Sequence, residues 1–188
     1  IILCYIILFD ATLYGSWRHT YFLYPSVIIL SIYGINILSK YIKYKFIIII
    51  SIFSILSSLY WIINNHPYQF VYYNLLTKNK VKANFELDYW GVSNKDTLEY
   101  LLDNFKKDKY LVYVYSNSPY YYNKNLIDKN KREKIIFVKK IEEAEFILTN
   151  HYYLNQNPIK KDKYLYDNFK LVNQIIVNNN AINSIFRK

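Results

Sequence analysis

The sequence predicts a membrane α-helical hairpin followed by a small extracytoplasmic α/β domain, on three observations. Two uncharged runs of membrane-spanning length lie in the first third, a short basic connector joins them, and beyond residue 76 the pattern changes to short strands alternating with helical stretches. The chain has 188 residues, 53% of them hydrophobic and 20% charged, which is room for one medium domain and a few spans. The expected division is a membrane region over residues 1–75 and a soluble α/β domain over residues 76–188.

Residues 21–39 read YFLYPSVIILSIYGINILS without a charge. At about 1.5 Å per residue this run spans about 28 Å, the thickness of a bilayer core. Pro25 falls in the first turn, where a missing N–H costs little, and Gly34 is a small residue of the kind membrane helices use at packing contacts. Residues 46–63, FIIIISIFSILSSLYWII, form the second expected span, with Tyr60 and Trp61 at its end as an interfacial aromatic belt. Residues 1–9 are apolar but too few to cross a bilayer. They lack the charged start and small-residue cleavage site of a signal peptide, so they are expected to finish a helix that begins upstream.

The connector, residues 40–45, is KYIKYK, and short loops rich in Lys or Arg stay on the cytoplasmic side. Residues 10–20 and everything after residue 64 are then expected outside the cytoplasm. Arg18, Lys40, Lys43 and Lys45 against Asp10 alone leave residues 1–75 at +3, so +7 of the total of +10 lies beyond them. Those later lysines are interspersed with Asp and Glu, which reads as a solvated surface and not as a nucleic-acid interface. Cys4 is the single cysteine and sits in the first apolar run, so neither an intrachain disulfide nor a cysteine-cluster metal site is available.

In the second part, Ser93-Asn94-Lys95-Asp96 fits an N-cap with an acidic residue three positions on. Leu98, Leu101, Leu102 and Phe105 follow at spacings of three and four, which predicts an amphipathic helix near 94–107. Expected strands lie at 110–115, 134–138 and 145–149, and residues 169–177 and 181–187 around Asn178-Asn179-Asn180 read as a closing β-hairpin. This alternation is that of a small α/β layer.

Three patches carry the residue types that do chemistry: residues 14–19 (YGSWRH), 66–74 (HPYQFVYYN) and 85–91 (FELDYWG). Arg18 and His19 precede a span on the face where the charge rule asks for no cation, which suits an anionic phosphate partner. A snorkelling Arg18 beside an interfacial Trp17 reads equally well. His66 before Pro67 could be a base or a ligand, although a rigid turn is the commoner role of such a residue. Glu86 and Asp88, if extended, would project to one face toward a cation or sugar hydroxyls. The favoured alternative is a turn or cap, with Tyr89 and Trp90 docking the domain. No Gly-rich phosphate loop, HExxH, nucleophile elbow or zinc spacing is present, and neither a cofactor nor a metal is expected.

Trp17-Arg18-His19 with Tyr21-Phe22 and Tyr24-Pro25 entering a helix comes first, then His66-Pro67-Tyr68-Gln69 with Tyr73-Asn74, then residues 85–91. In that order they resemble the C-terminal part of bacterial polytopic glycosyltransferases of the dolichyl-phosphate-mannose-protein mannosyltransferase-like group (family 39-like), within the membrane glycosyltransferase C superfamily. The resemblance covers about residues 14–92 and extends only loosely to the domain beyond. It implies a fragment of a hexosyltransferase of the bacterial inner membrane that moves sugar from a polyprenyl-phosphate donor to an extracytoplasmic acceptor. It also implies that the catalytic acidic residue lies outside this chain, so that the chain is inactive alone. Arg18, His19, Trp17 and His66 are then the substrate-binding candidates, and the lipid-linked donor and membrane lipid are the partners. Two other readings stay open. One is a membrane-anchored extracytoplasmic binding or structural module without catalysis. The other is a transporter fragment, which uncharged spans disfavour.

Overall fold

The computed structural model describes residues 4–5, 8–9, 20–73, 81, 85–152 and 168–188, and the chain forms two compact units, Ile1–Tyr60 and Trp61–Lys188. Of the helix expected over residues 1–9, Cys4, Tyr5 and Leu8 are helical and the Phe9 N–H donates to the Tyr5 carbonyl at 3.0 Å. The rest of that segment lies outside the described residues.

The first unit is built on two long helices. A 3-10 turn, Tyr21–Leu23, leads into α1, Tyr24–Tyr41, with Pro25 in the first turn; α2 follows as Tyr44–Asn64. The connector is shorter than expected, Ile42 and Lys43 alone, because Lys40 and Tyr41 complete α1 and Tyr44 and Lys45 begin α2. Lys40 sits in the last turn of α1, where a cation faces the negative end of the helix dipole. Serine hydroxyls along both helices turn inward to the backbone: Ser31 donates to Val27 O (2.7 Å), Ser51 to Ile47 O (2.9 Å) and Ser58 to Ser54 O (3.1 Å). That leaves the outer surface apolar. Neither helix buries a single residue, and each Ile or Phe left in water forgoes about 1.5–3 kcal/mol of burial. Tyr21–Tyr41 and Tyr44–Asn64 are both long and apolar enough to cross a membrane.

The second unit carries one helix of three turns, α3 (Ser93–Asn104), on a five-stranded mixed sheet. Its strands are β1 (Tyr110–Val114), β2 (Ile135–Phe137), β3 (Phe146–Thr149), β4 (Lys170–Val177) and β5 (Asn180–Arg187), in the order β2-β1-β3-β5-β4. β2, β1 and β3 are parallel, with Val112 opposite Phe137 on one side and Phe146 on the other; β5 runs antiparallel to β3 and to β4. Single-turn helices at Tyr120–Asn123 and Lys129–Arg132 cross from β1 to β2. The β4–β5 turn places Asn178 at φ +49° and Asn179 at φ +61°, two consecutive left-handed residues as a tight hairpin of right-twisted strands requires. The expected strands and hairpin are found within about two residues of their ends.

α3 lays Leu98 and Leu101 on the sheet, against Tyr110 and Val112 of β1, Ile135 of β2, Phe146 and Leu148 of β3 and Ile185 of β5. Leu102 and Phe105 complete the stripe at its edge, half-buried. A smaller apolar layer of Ala144, Ile147, Phe169 and Phe186 forms another core cluster, and β3 is buried along its whole length. Residues 61–73 and 85–92 join this unit through a third cluster, in which Val71, Val81 and Leu87 pack on Val177 and Ile182 of the hairpin. Trp61 joins that cluster, with its indole N–H donating to Gln69 O at 3.0 Å.

The start of α3 departs from expectation. Ser93 is the first helical residue and not the cap. The exposed N–H groups of Val92 and Ser93 are taken by Asp88, at 2.8 Å and 3.1 Å, and the Ser93 hydroxyl donates to the same carboxylate. Asp96, expected to support the cap, instead accepts the Tyr68 hydroxyl.

Candidate functional site at the carboxyl ends of the parallel strands

In an open parallel sheet the place where a ligand meets the protein is outside the carboxyl ends of the strands, where consecutive connections diverge. Here that point lies between β1 and β3, since β1 is flanked by β2 and β3. The residues that follow β1 (Ser116, Ser118) and β3 (Asn150, His151) meet the first turn of α3 and the middle of β5 there.

The side chains gathered at this point are polar; Ser93, Asn94, Ser118, Asn150, Asn183 and Ser184 are buried, and Ser116 and His151 half-buried. Asn183 of β5 donates to the Ser93 hydroxyl (2.8 Å) and to Asn94 Oδ1 (3.3 Å), and accepts from the Tyr120 hydroxyl (2.8 Å). Asn94 Nδ2 donates to Ser118 Oγ (2.6 Å) and Asn123 Oδ1 (3.2 Å). Asn150 Nδ2 donates to the Asp88 carbonyl (2.7 Å), while Asn150 Oδ1 accepts from the Ser116 hydroxyl and from the Tyr152 N–H (3.2 Å). His151 Nε2 lies 2.9 Å from Ser184 Oγ, which also accepts from Gln174 Nε2 at 3.0 Å.

Asp88 and Gly91 shape the loop that closes the cluster. The Asp88 carboxyl is pushed above the usual carboxylate range by burial, and the donors from Ser93, Val92 and Asn150 pull it back. Gly91 sits at φ +66°, and a Cβ there would come within 2.4 Å of Asn94 Nδ2 and Ser118 Oγ. Glycine is therefore required twice, by the backbone and by the space. The turn or cap reading of Asp88 is the one the structure bears out. Glu86, two residues earlier, is exposed.

Of the residues singled out from the sequence, Trp17, Arg18 and His19 lie outside the described residues. His66 is exposed in the turn that follows α2, where the His66–Pro67 peptide is cis and the Tyr68 N–H donates to the Asn65 carbonyl. The chain matches no family model, no curated protein and no solved structure. The residues that sequence reasoning missed are Asn94, Ser118, Asn150 and Asn183. Asn183-Ser184 between Ile182 and Ile185 of β5 was the available signal, since a polar pair mid-strand in a buried strand demands partners.

Chemically, the cluster is closed upon itself. Ser184, beside His151, has no exposed surface, so that pair presents no nucleophile to a substrate. Among the described residues, no three His, Cys, Asp or Glu side chains come together. The buried polar groups fix α3 to the strand ends, and the 85–90 loop carries exposed aromatic side chains. There, Tyr89 meets Trp90 edge-on (4.9 Å between ring centres) and Tyr152 at 5.2 Å, while Phe85 packs on Tyr73 at 5.0 Å. The phenols of Tyr73 and Tyr152 are pushed up by burial first and then by the charge of Glu86.

Proposed function

We propose that this chain is the C-terminal part of an integral membrane glycosyltransferase of the bacterial inner membrane, which moves a sugar from a polyprenyl-phosphate donor to an extracytoplasmic acceptor. The observation that carries the membrane half of this reading is a pair of helices with no buried residue, joined by a connector that contains Lys43 and is flanked by Lys40 and Lys45. That basic connector argues for a cytoplasmic turn and an extracytoplasmic α/β unit. The transferase half rests on the succession along the sequence of the patches around Arg18, His66 and residues 85–91.

On this reading an acidic residue outside these 188 residues deprotonates the acceptor hydroxyl. The acceptor oxygen forms its bond to the anomeric carbon as the bond from that carbon to the phosphate oxygen breaks, and the polyprenyl phosphate leaves with the electron pair. Arg18 and His19 neutralise the charge on that phosphate, with Trp17 and His66 bordering the donor. The capping role of Asp88 fits a carboxylate supplied from elsewhere. In the full-length protein, Arg18→Ala is expected to lower kcat/KM for the lipid-linked donor by about 10- to 100-fold, the worth of one charge-assisted hydrogen bond, at normal expression and thermal stability. Unchanged transfer kinetics would remove Arg18 from the site.

A second reading, a membrane-anchored module without catalysis, is favoured by one specific observation: the buried polar side chains at the strand ends bond one another and leave no reactive pair open. Transfer by the full-length protein decides between the two.

A further inference from the structure

Residues 85–90 set one carboxylate among aromatic rings at the surface of the second unit. Phe85 is 44% exposed, Tyr89 40% and Trp90 66%, an unusual outlay of aromatic surface for a loop of six residues. Glu86 is exposed between them in sequence, and Tyr152, whose ring meets Tyr89 at 5.2 Å, is one of the phenols pushed up by burial first and then by the Glu86 charge. The loop is held in shape from below: Asn150 donates to the Asp88 carbonyl, the Gly91 N–H donates to the same carbonyl at 3.1 Å, and the Asp88 side chain caps α3. A surface ordered in this way loses little freedom on binding.

We infer that this face is a binding platform for a neutral saccharide, with the more exposed Trp90 lying against a pyranose ring, Tyr89 standing edge-on beside it and Glu86 accepting hydrogen bonds from the sugar hydroxyls. The faces of aromatic rings are negative and attract the polarised C–H groups of a sugar, while a carboxylate is the strongest acceptor a side chain offers to a hydroxyl. Aromatic belts that rest on lipid headgroups are accompanied by Lys or Arg; residues 85–92 contain Glu86 and Asp88 and no base. The same carboxylate turns away anionic sugars. On the transferase reading above this saccharide is the acceptor, and only that role rests on that reading; the platform itself does not.

The test uses the full chain in nanodiscs of zwitterionic lipid, with mannotetraose and chitotetraose as neutral probes and tetragalacturonate as the anionic one. Binding is read by saturation-transfer NMR and tryptophan fluorescence. At least one neutral probe is expected to bind and the anionic probe to be rejected. Trp90→Ala and Glu86→Gln should each weaken neutral binding by about tenfold, the loss of one stacking contact or one charge-assisted bond. Glu86→Gln keeps the side chain's volume, so it serves even where Trp90→Ala disturbs the loop, and it should also admit the anionic probe. The inference is overturned if neither neutral probe binds, if both variants bind as the parent does, or if Trp90→Ala changes only partition onto anionic vesicles, which would make the face a lipid contact. Saccharide binding without transfer by the full-length protein would keep the platform and remove the transferase. Neutral binding undiminished by Trp90→Ala and by Glu86→Gln, in a protein that still transfers sugar, would remove the platform and keep the transferase.

Discussion

Gly91 is constrained twice, because its φ of +66° and the 2.4 Å approach of Asn94 and Ser118 both exclude a side chain. An L-residue in that backbone region costs about 1–2 kcal/mol before any clash is counted. Gly91→Ala is therefore expected to destabilise the α/β unit by about 2 kcal/mol or more, read as a lower urea midpoint at unchanged slope. An unchanged midpoint would mean that the loop does not pack on Asn94 as described. The glycine was visible in the sequence as the end of residues 85–91, but its reason was not, since the atoms it must clear come from a helix and from the loop after β1. Asp88 shows the same limit. Ser93 occupies the sequence position of a cap, while the carboxylate that caps stands five residues earlier and reaches back through a turn.

Among the elements, the period-dependent features were legible. Leu98, Leu101, Leu102 and Phe105 announced α3, and the β-branched runs announced β1, β2 and β3, because each pattern is set by the burial of one element's own face. The hairpin was legible from its asparagines, which tolerate the left-handed backbone that Asn178 and Asn179 adopt. The polar junction of α3 with the strand ends was not, since Asn183 meets Ser93 and Asn94 across some ninety residues of chain. Asn183→Ala removes two donated bonds and one accepted bond in a buried setting and leaves the Tyr120 hydroxyl without that acceptor. A loss of about 1–3 kcal/mol is expected. Amide hydrogen exchange should locate it in the first turn of α3 and in β5 before the hairpin end. Uniform protection equal to the parent's would show that apolar packing alone holds α3.

For the whole molecule, the two units separate by their relation to water. The first exposes apolar side chains along two helices, and the second gathers Leu98, Val112, Phe146 and Ile185 into a buried core while its surface carries pairs such as Lys107–Glu145 and Lys131–Asp103 beside exposed aromatic rings. Charge partition along the chain made this contrast legible before any coordinates. The proposed arrangement puts the Ile42-Lys43 turn in the cytoplasm and the α/β unit outside it. The most direct measurement is labelling with a membrane-impermeant maleimide of single-cysteine variants, Lys43→Cys and Lys188→Cys in a Cys4→Ala background. Labelling of the residue 188 variant in intact cells, with the residue 43 variant labelled only after lysis, is the expected result; labelling of both or the reverse pattern in intact cells would contradict it.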